Sequence, residues 1–195
     1  IPATKLEILV KMMRKQIREY SKVNQLAAKT FEQMLEDTIR AYHERRKHLS
    51  IEEAGEAQEQ ASDDIIKAAY DHALEVLRQM KESRESFRKI GLTFEEKAFY
   101  DILLALRDQY DFEYGTDKEV DGVVINDKCK ALAQKVKEII DTKSSFADWL
   151  NNQNVRNQLK LEIKICLVKN GYPPQYSPEV FKKVMEQVEN FEENN

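Results

Sequence analysis

The chain has 195 residues, of which 42% are hydrophobic and 34% charged, with 35 acids against 31 bases and a net charge of −4. A chain of this length and apolar share can bury a real core, which excludes global disorder. The mildly acidic balance excludes indiscriminate nucleic-acid binding by the whole surface while leaving room for a local basic face.

Five glycines and four prolines are far fewer than the roughly 12% of ordinary usage, so they serve as punctuation between segments rich in Glu, Lys, Gln, Leu and Ala, which favour helix. Thr4 and Glu7 form a capping-box pattern, and Leu6, Leu9, Val10, Met13 and Ile17 follow at helical spacing. Helix is expected from there to Leu49, with a break near Asn24 and a second stripe of Phe31, Leu35, Ile39 and Tyr42. Ser50 and Glu53 suggest another capping box. It opens a segment that reaches Lys89, with Ile65, Ala69, Leu74 and Leu77 inside and Gly91 as the left-handed stop. Thr93 and Glu96 repeat the box before a short helix carrying Phe94, Phe99, Ile102, Leu103 and Leu106. Asp111 to Asp127, which contains Gly115 and Gly122, reads as a loop. A helix built on Leu132, Val136 and Ile139 is expected from Asp127 to Ile140, followed by a linker from Asp141 to Asp148 and then Trp149.

From Asn152 to Asn170 the pattern is richer. Val155, Leu159, Ile163 and Leu167 mark one apolar face, and Leu161, Ile165 and Val168 a second, so this helix is expected to be central. Gly171 and Pro173-Pro174 end it. Ser177 caps a last helix with Pro178 in its first turn and Val180, Val184 and Val188 on its inner face. The fold class is therefore all-α. It is an irregular bundle of about seven helices without significant sheet, centred on Phe99, Leu103, Leu132, Val136, Leu159 and Ile163. The chain reads as one helical domain that admits a subdivision into long helices (1–90) and a compact helical part (91–195).

Known catalytic patterns are missing. No glycine-rich loop ends in Gly-Lys-Ser/Thr, and there is no Gly-x-Ser-x-Gly elbow or His-Glu-x-x-His helix. Cys129 and Cys166 belong to no CxxC pair, and His43, His48 and His72 lack zinc-site spacing. The DKEVD run (Asp117–Asp121) lacks the closing glutamate of a calcium loop. Glu162-Ile163-Lys164 matches the ExK element of metal-dependent nucleases, which stands on a strand; on a helix the two side chains diverge by about 200°. No catalytic, cofactor-binding or metal-binding residue is therefore assigned. No apolar run approaches the ~20 residues that cross a bilayer, and no signal peptide is seen. A cytoplasmic protein without membrane contact is expected, and the start at Ile-Pro-Ala-Thr reads as a piece of a longer one.

What remains are candidate partner contacts. Lys11, Lys15, Arg18 and Lys22 share one side of the first helix, and Arg156, Lys160 and Lys164 recur at i, i+4 and i+8 of the central one. Either stripe can meet phosphate or an acidic partner, or simply be a solvated face. Trp149, Tyr172 and Tyr176 can anchor a partner or close the core at helix junctions.

Three segments, taken in order, resemble one family. They are FEQMLEDTIRAYHERR (Phe31–Arg46), GLTFEEKAFYDILLAL (Gly91–Leu106), and Trp149 followed by NVRNQLKLEIKICLVKNGYPP (Asn154–Pro174). The set is similar to the C-terminal helical region of the R (motor and endonuclease) subunit of type I restriction enzymes. The sequence departs from that pattern at FADWL and at Gln158, Leu161 and Cys166, which replace basic residues of the tail helix. The resemblance implies a parent ATP-dependent site-specific deoxyribonuclease that uses ATP and Mg2+ in upstream domains. It implies a fragment without catalysis or cofactor. It also implies docking onto methyltransferase and specificity subunits, with DNA met through the complex. Two alternatives stand beside it: a DNA-contacting helical element next to the motor, and an unrelated helical scaffold.

Overall fold

A computed structural model describes residues 3–52, 55–144 and 151–194. Eight helices and one hairpin make up the regular structure of these residues: α1 Ala3–Ser21, α2 Gln25–Glu52, α3 Glu56–Glu85, α4 Phe87–Ile90, α5 Phe94–Gln109, β1 Asp117–Val120, β2 Val123–Asn126, α6 Asp127–Ser144, α7 Gln153–Lys169 and α8 Pro178–Asn194. With α4 a single turn, the longer helices number seven, as the periodicity suggests. Among the described residues no helix is long and apolar enough to cross a membrane. The chain divides into two compact units: residues 1–21 with 27–84, and residues 22–26 with 85–195.

The first unit holds α1, α2 and α3. Leu6, Leu9, Met13, Ile17 and Tyr20 bury one stripe of α1, Phe31, Leu35 and Tyr42 one stripe of α2, and Ala69, Ala73, Val76 and Met80 one stripe of α3. Polar groups are matched where they are covered: the Tyr20 hydroxyl is 3.0 Å from Ser83 Oγ, and Thr38 Oγ1 is 2.7 Å from His72 Nδ1. Three expectations are corrected here. Helix is already formed at Ala3, so Thr4 lies in the first turn instead of capping it. α2 runs through Ser50 to Glu52, so Ser50 lies within a helix instead of starting one, and its expected partner Glu53 lies outside the described residues; Gly55 stands at φ +69° ahead of α3. Leu74 is exposed, because Ala73, Val76, Leu77 and Met80 already fill the inward arc of α3.

In the second unit α5, α6, α7 and α8 enclose a core that contains all six anticipated central residues, Phe99, Leu103, Leu132, Val136, Leu159 and Ile163. α6 turns Ile140, not Ile139, fully inward. The Thr93 box is complete: Thr93 Oγ1 accepts from the Glu96 N–H, and Glu96 Oε1 accepts from the Thr93 N–H. Gly91 ends α4 in the left-handed conformation. The break near Asn24 has a tertiary cause, since buried Asn24 donates to Asp101 (2.8 Å), which also receives Lys97 (2.7 Å).

The span read as a loop contains an antiparallel hairpin, with Asp117 opposite Asn126 and Val120 opposite Val123. Asp121 and Gly122 form its two-residue turn at φ +52° and +78°, the left-handed pair that a tight hairpin needs. Three side chains fasten it. Arg107 forks onto both oxygens of Asp117 (2.6 and 3.0 Å), which holds that carboxyl below its usual range. The Tyr100 hydroxyl donates to the Val124 carbonyl and accepts from the Asn126 N–H. Fully buried Asn126 donates to the Tyr114 carbonyl and to Asp117, and its Oδ1 accepts from the Cys129 N–H as the cap of α6.

Candidate partner-binding surface

α7 is fixed at both ends and along its inner face. Asn152 Oδ1 accepts from the Asn154 and Val155 N–H groups at its start. At its end the Asn170 carbonyl accepts from the Tyr114 hydroxyl (2.7 Å), and Gly171 turns the chain at φ +69°. Leu159, Ile163 and Leu167 are buried beneath it.

The basic stripe of α7 is committed to α8. Lys160 Nζ lies 2.6 Å from Glu189, and Arg156 Nε lies 3.5 Å from Glu192. Lys164 sits over the Phe181 ring, 5.5 Å from its centre. The Glu192 side chain is 0% exposed, and neither carboxylate oxygen has a hydrogen-bond partner. Burial therefore raises its pKa, against the pull of Arg156 and Lys160. Two of the three repeated cations thus find acids of α8, a pairing that no spacing within α7 indicates.

The ExK element behaves as a helix dictates. Glu162 pairs with Lys143 of α6 at 3.1 Å, whereas Lys164 turns to α8, so the two groups do not converge. Among the described residues no group of three His, Cys, Asp or Glu side chains is placed to hold a metal ion. Burial pushes the Cys129 thiol up to about 11 and raises that of Cys166 as well, which makes both poor nucleophiles at neutral pH.

Away from the core, α7 presents Leu161 (57% exposed), Ile165 (43%) and Val168 (57%). Their i, i+4, i+7 spacing aligns them on one face, and the exposed residues of the preceding turns on that face are Asn154, Asn157 and Gln158. The second face is open, and its middle carries no charge in a chain that is one-third charged. Charge depletion around exposed apolar side chains is the composition of an interface centre.

The other candidates fall elsewhere. Trp149 lies outside the described residues. Tyr172 is 0% exposed, with its hydroxyl donating to the Leu103 carbonyl at 2.8 Å. It is a core side chain held against Phe112 and Tyr114, so it shapes the surface without presenting itself to a partner. Tyr176 is exposed, with its ring tilted against Phe181. Lys11, Lys15 and Arg18 are exposed along α1.

Comparison with known proteins points to one family. Residues 1–194 match the protein family described as type I restriction enzyme HindI endonuclease subunit-like, C-terminal. Over 165 residues, 85% of the chain, it is 26% identical to the protein named type I restriction enzyme MjaIXP endonuclease subunit in Methanocaldococcus jannaschii. Over 181 residues, 92% of the chain, it is 27% identical to the type I restriction enzyme HindI endonuclease subunit of Haemophilus influenzae. It spans only 13% and 14% of those two relatives. No solved structure gives a significant match. An unrelated helical scaffold is thereby set aside, and the chain belongs to the HindI-like C-terminal family of type I restriction enzyme endonuclease subunits.

Proposed function

We propose that this helical region docks the ATP-dependent DNA translocase and endonuclease subunit onto the methyltransferase–specificity core of its own restriction–modification system, and that it breaks no bond itself. The chemistry that uses ATP and Mg2+ then belongs to parts of the subunit that this chain does not span. The observation that supports docking is the open apolar face of Leu161, Ile165 and Val168, flanked by Lys164 and Lys169, on a helix whose ends and inner face are fixed. Burying an exposed aliphatic side chain completely is worth about 1.5–3 kcal/mol. Three half-covered ones together thus supply several kcal/mol toward association without any rearrangement of α7. Arg156, Lys160 and Lys164 contribute indirectly, by holding α7 against α8.

The test is assembly of the intact subunit, with Leu161→Glu and Ile165→Glu together, on the purified methyltransferase–specificity core. Both side chains are exposed, so thermal unfolding should be unchanged, while the affinity falls by tenfold or more, equivalent to about 1.4 kcal/mol. Assembly at wild-type affinity by the folded double variant rules out this face as the docking surface.

A further inference from the structure

One side of the first unit carries a basic ridge. Lys11, Arg14, Lys15 and Arg18 occupy successive turns of the outward face of α1, and residues 43–48 of α2 read HERRKH, with Glu44 the one acid among them. Between the two helices runs a groove of about 550 Å3, bordered by Lys11, Arg14, Arg18, His43 and Arg46, with Glu7 also on its wall. Part of this charge is uncompensated. Arg14 pairs with Glu36 at 3.0 Å, both about half exposed. Arg46 donates to the Tyr42 hydroxyl and lies over that ring, which positions the guanidinium without cancelling its charge. Lys11, Lys15 and Arg18 make no ion pair among the described residues.

We propose that this ridge and groove bind the phosphodiester backbone of duplex DNA without reading its sequence. Lys11 and Arg18 are separated by about 10 Å along the helix. A duplex presents roughly six phosphate charges over that length, about three of them on the near strand. One cation per helical turn matches a polyanion of constant charge spacing better than it matches an irregular acidic protein surface. The long Lys and Arg side chains supply donors and no acceptors, which suits phosphate and does not distinguish bases. The site uses none of the α7 residues assigned to docking, so either reading can fail without the other.

The experiment is fluorescence anisotropy of a labelled duplex of about 20 base pairs with the 195-residue chain, at about 50 and 200 mM salt. Wild type is compared with Lys11→Glu/Arg18→Glu, with its neutral counterpart Lys11→Gln/Arg18→Gln, and with Lys169→Glu/Lys182→Glu, an equal change of net charge on exposed lysines of α7 and α8. Circular dichroism confirms each fold. The expected result is saturable, salt-sensitive binding that weakens at least tenfold in the Lys11/Arg18 reversal and to a lesser degree in the neutral pair. The salt slope should shrink by roughly two in the neutral pair, since each phosphate contact contributes about 0.9. The Lys169/Lys182 variant should stay within about twofold of wild type. The proposal is overturned by absence of binding at the lower salt, by equal losses in both charge-reversed variants, or by polyglutamate displacing the duplex at equal charge concentration.

Discussion

Replacing Arg156 by Ala offers the sharpest check on the electrostatics of the second unit. Glu192 has a fully covered side chain, no hydrogen bond to either oxygen, and Arg156 as its nearest cation at 3.5 Å. Leaving one member of a buried pair uncompensated costs about 3–5 kcal/mol. Because Arg156 is itself partly exposed, the lower end of that range is expected at pH 7. In a Glu192→Gln background the same Arg156→Ala change should cost less than about 1 kcal/mol, because no buried charge is stranded. The pH dependence has a definite sign. Burial raises the folded-state pKa of Glu192 above the usual 4.5, so the folded protein binds more protons than the unfolded chain between those two values. The contribution of this carboxyl is fully present below the unfolded pKa and is lost as pH rises through the folded one. Arg156→Ala removes the main cation opposing that shift, so its cost should shrink as the medium is acidified toward pH 4.5, and Glu192→Gln should abolish the shrinkage. Urea unfolding of the four species at pH 4.5, 6 and 7.5 supplies the cycle. Equal cost of Arg156→Ala with Glu and with Gln at position 192, at every pH, would refute the reasoning.

Thr93→Ala removes one of the two reciprocal bonds of the α5 cap and should cost about 1 kcal/mol, seen as a fall in Tm of about 2–4 °C in a chain of this size. Gly115 stands at φ +66°, and a Cβ there would run into the Asn126 side chain. Gly115→Ala should therefore cost about 2 kcal/mol or more and broaden the amide resonances of the hairpin; an unchanged melt would mean that Asn126 is not the cap of α6. Cys129, with its thiol pushed up to about 11 and fully buried, should react with a thiol reagent at pH 8 only at the rate of unfolding, so labelling of the native protein within minutes would contradict its placement.

Local chemistry was legible wherever a residue's role depends on its own neighbours in the chain. The Thr93–Glu96 box, the Gly91 stop, and the Asn152 and Asn170 ends of α7 all lie where the sequence places them, because caps are made by groups within four residues of each other. The hairpin was also written there. Val-Asp-Gly-Val is a strong short hairpin signal, although the two glycines of the span also suit an irregular loop. Ser50 shows the opposite error: its pattern fits a cap, but no local rule weighs a cap against the continuing helix of α2.

Periodicity determined that α7 has two apolar faces and one basic stripe, because side-chain direction on a helix follows from 3.6 residues per turn. It could not say which face is enclosed. That was decided when the α8 acids Glu189 and Glu192 came to lie beside Lys160 and Arg156, and when the core closed over Leu159, Ile163 and Leu167 and left Leu161, Ile165 and Val168 in the open. Tyr172 followed the same logic, since its burial depends on Leu103, 69 residues away. The sequence thus determined the helices, their ends and the chemistry each face can offer. The tertiary structure alone decided which of those faces is spent inside the fold, because pairing between distant segments is set by packing and charge and leaves no periodic trace in either segment.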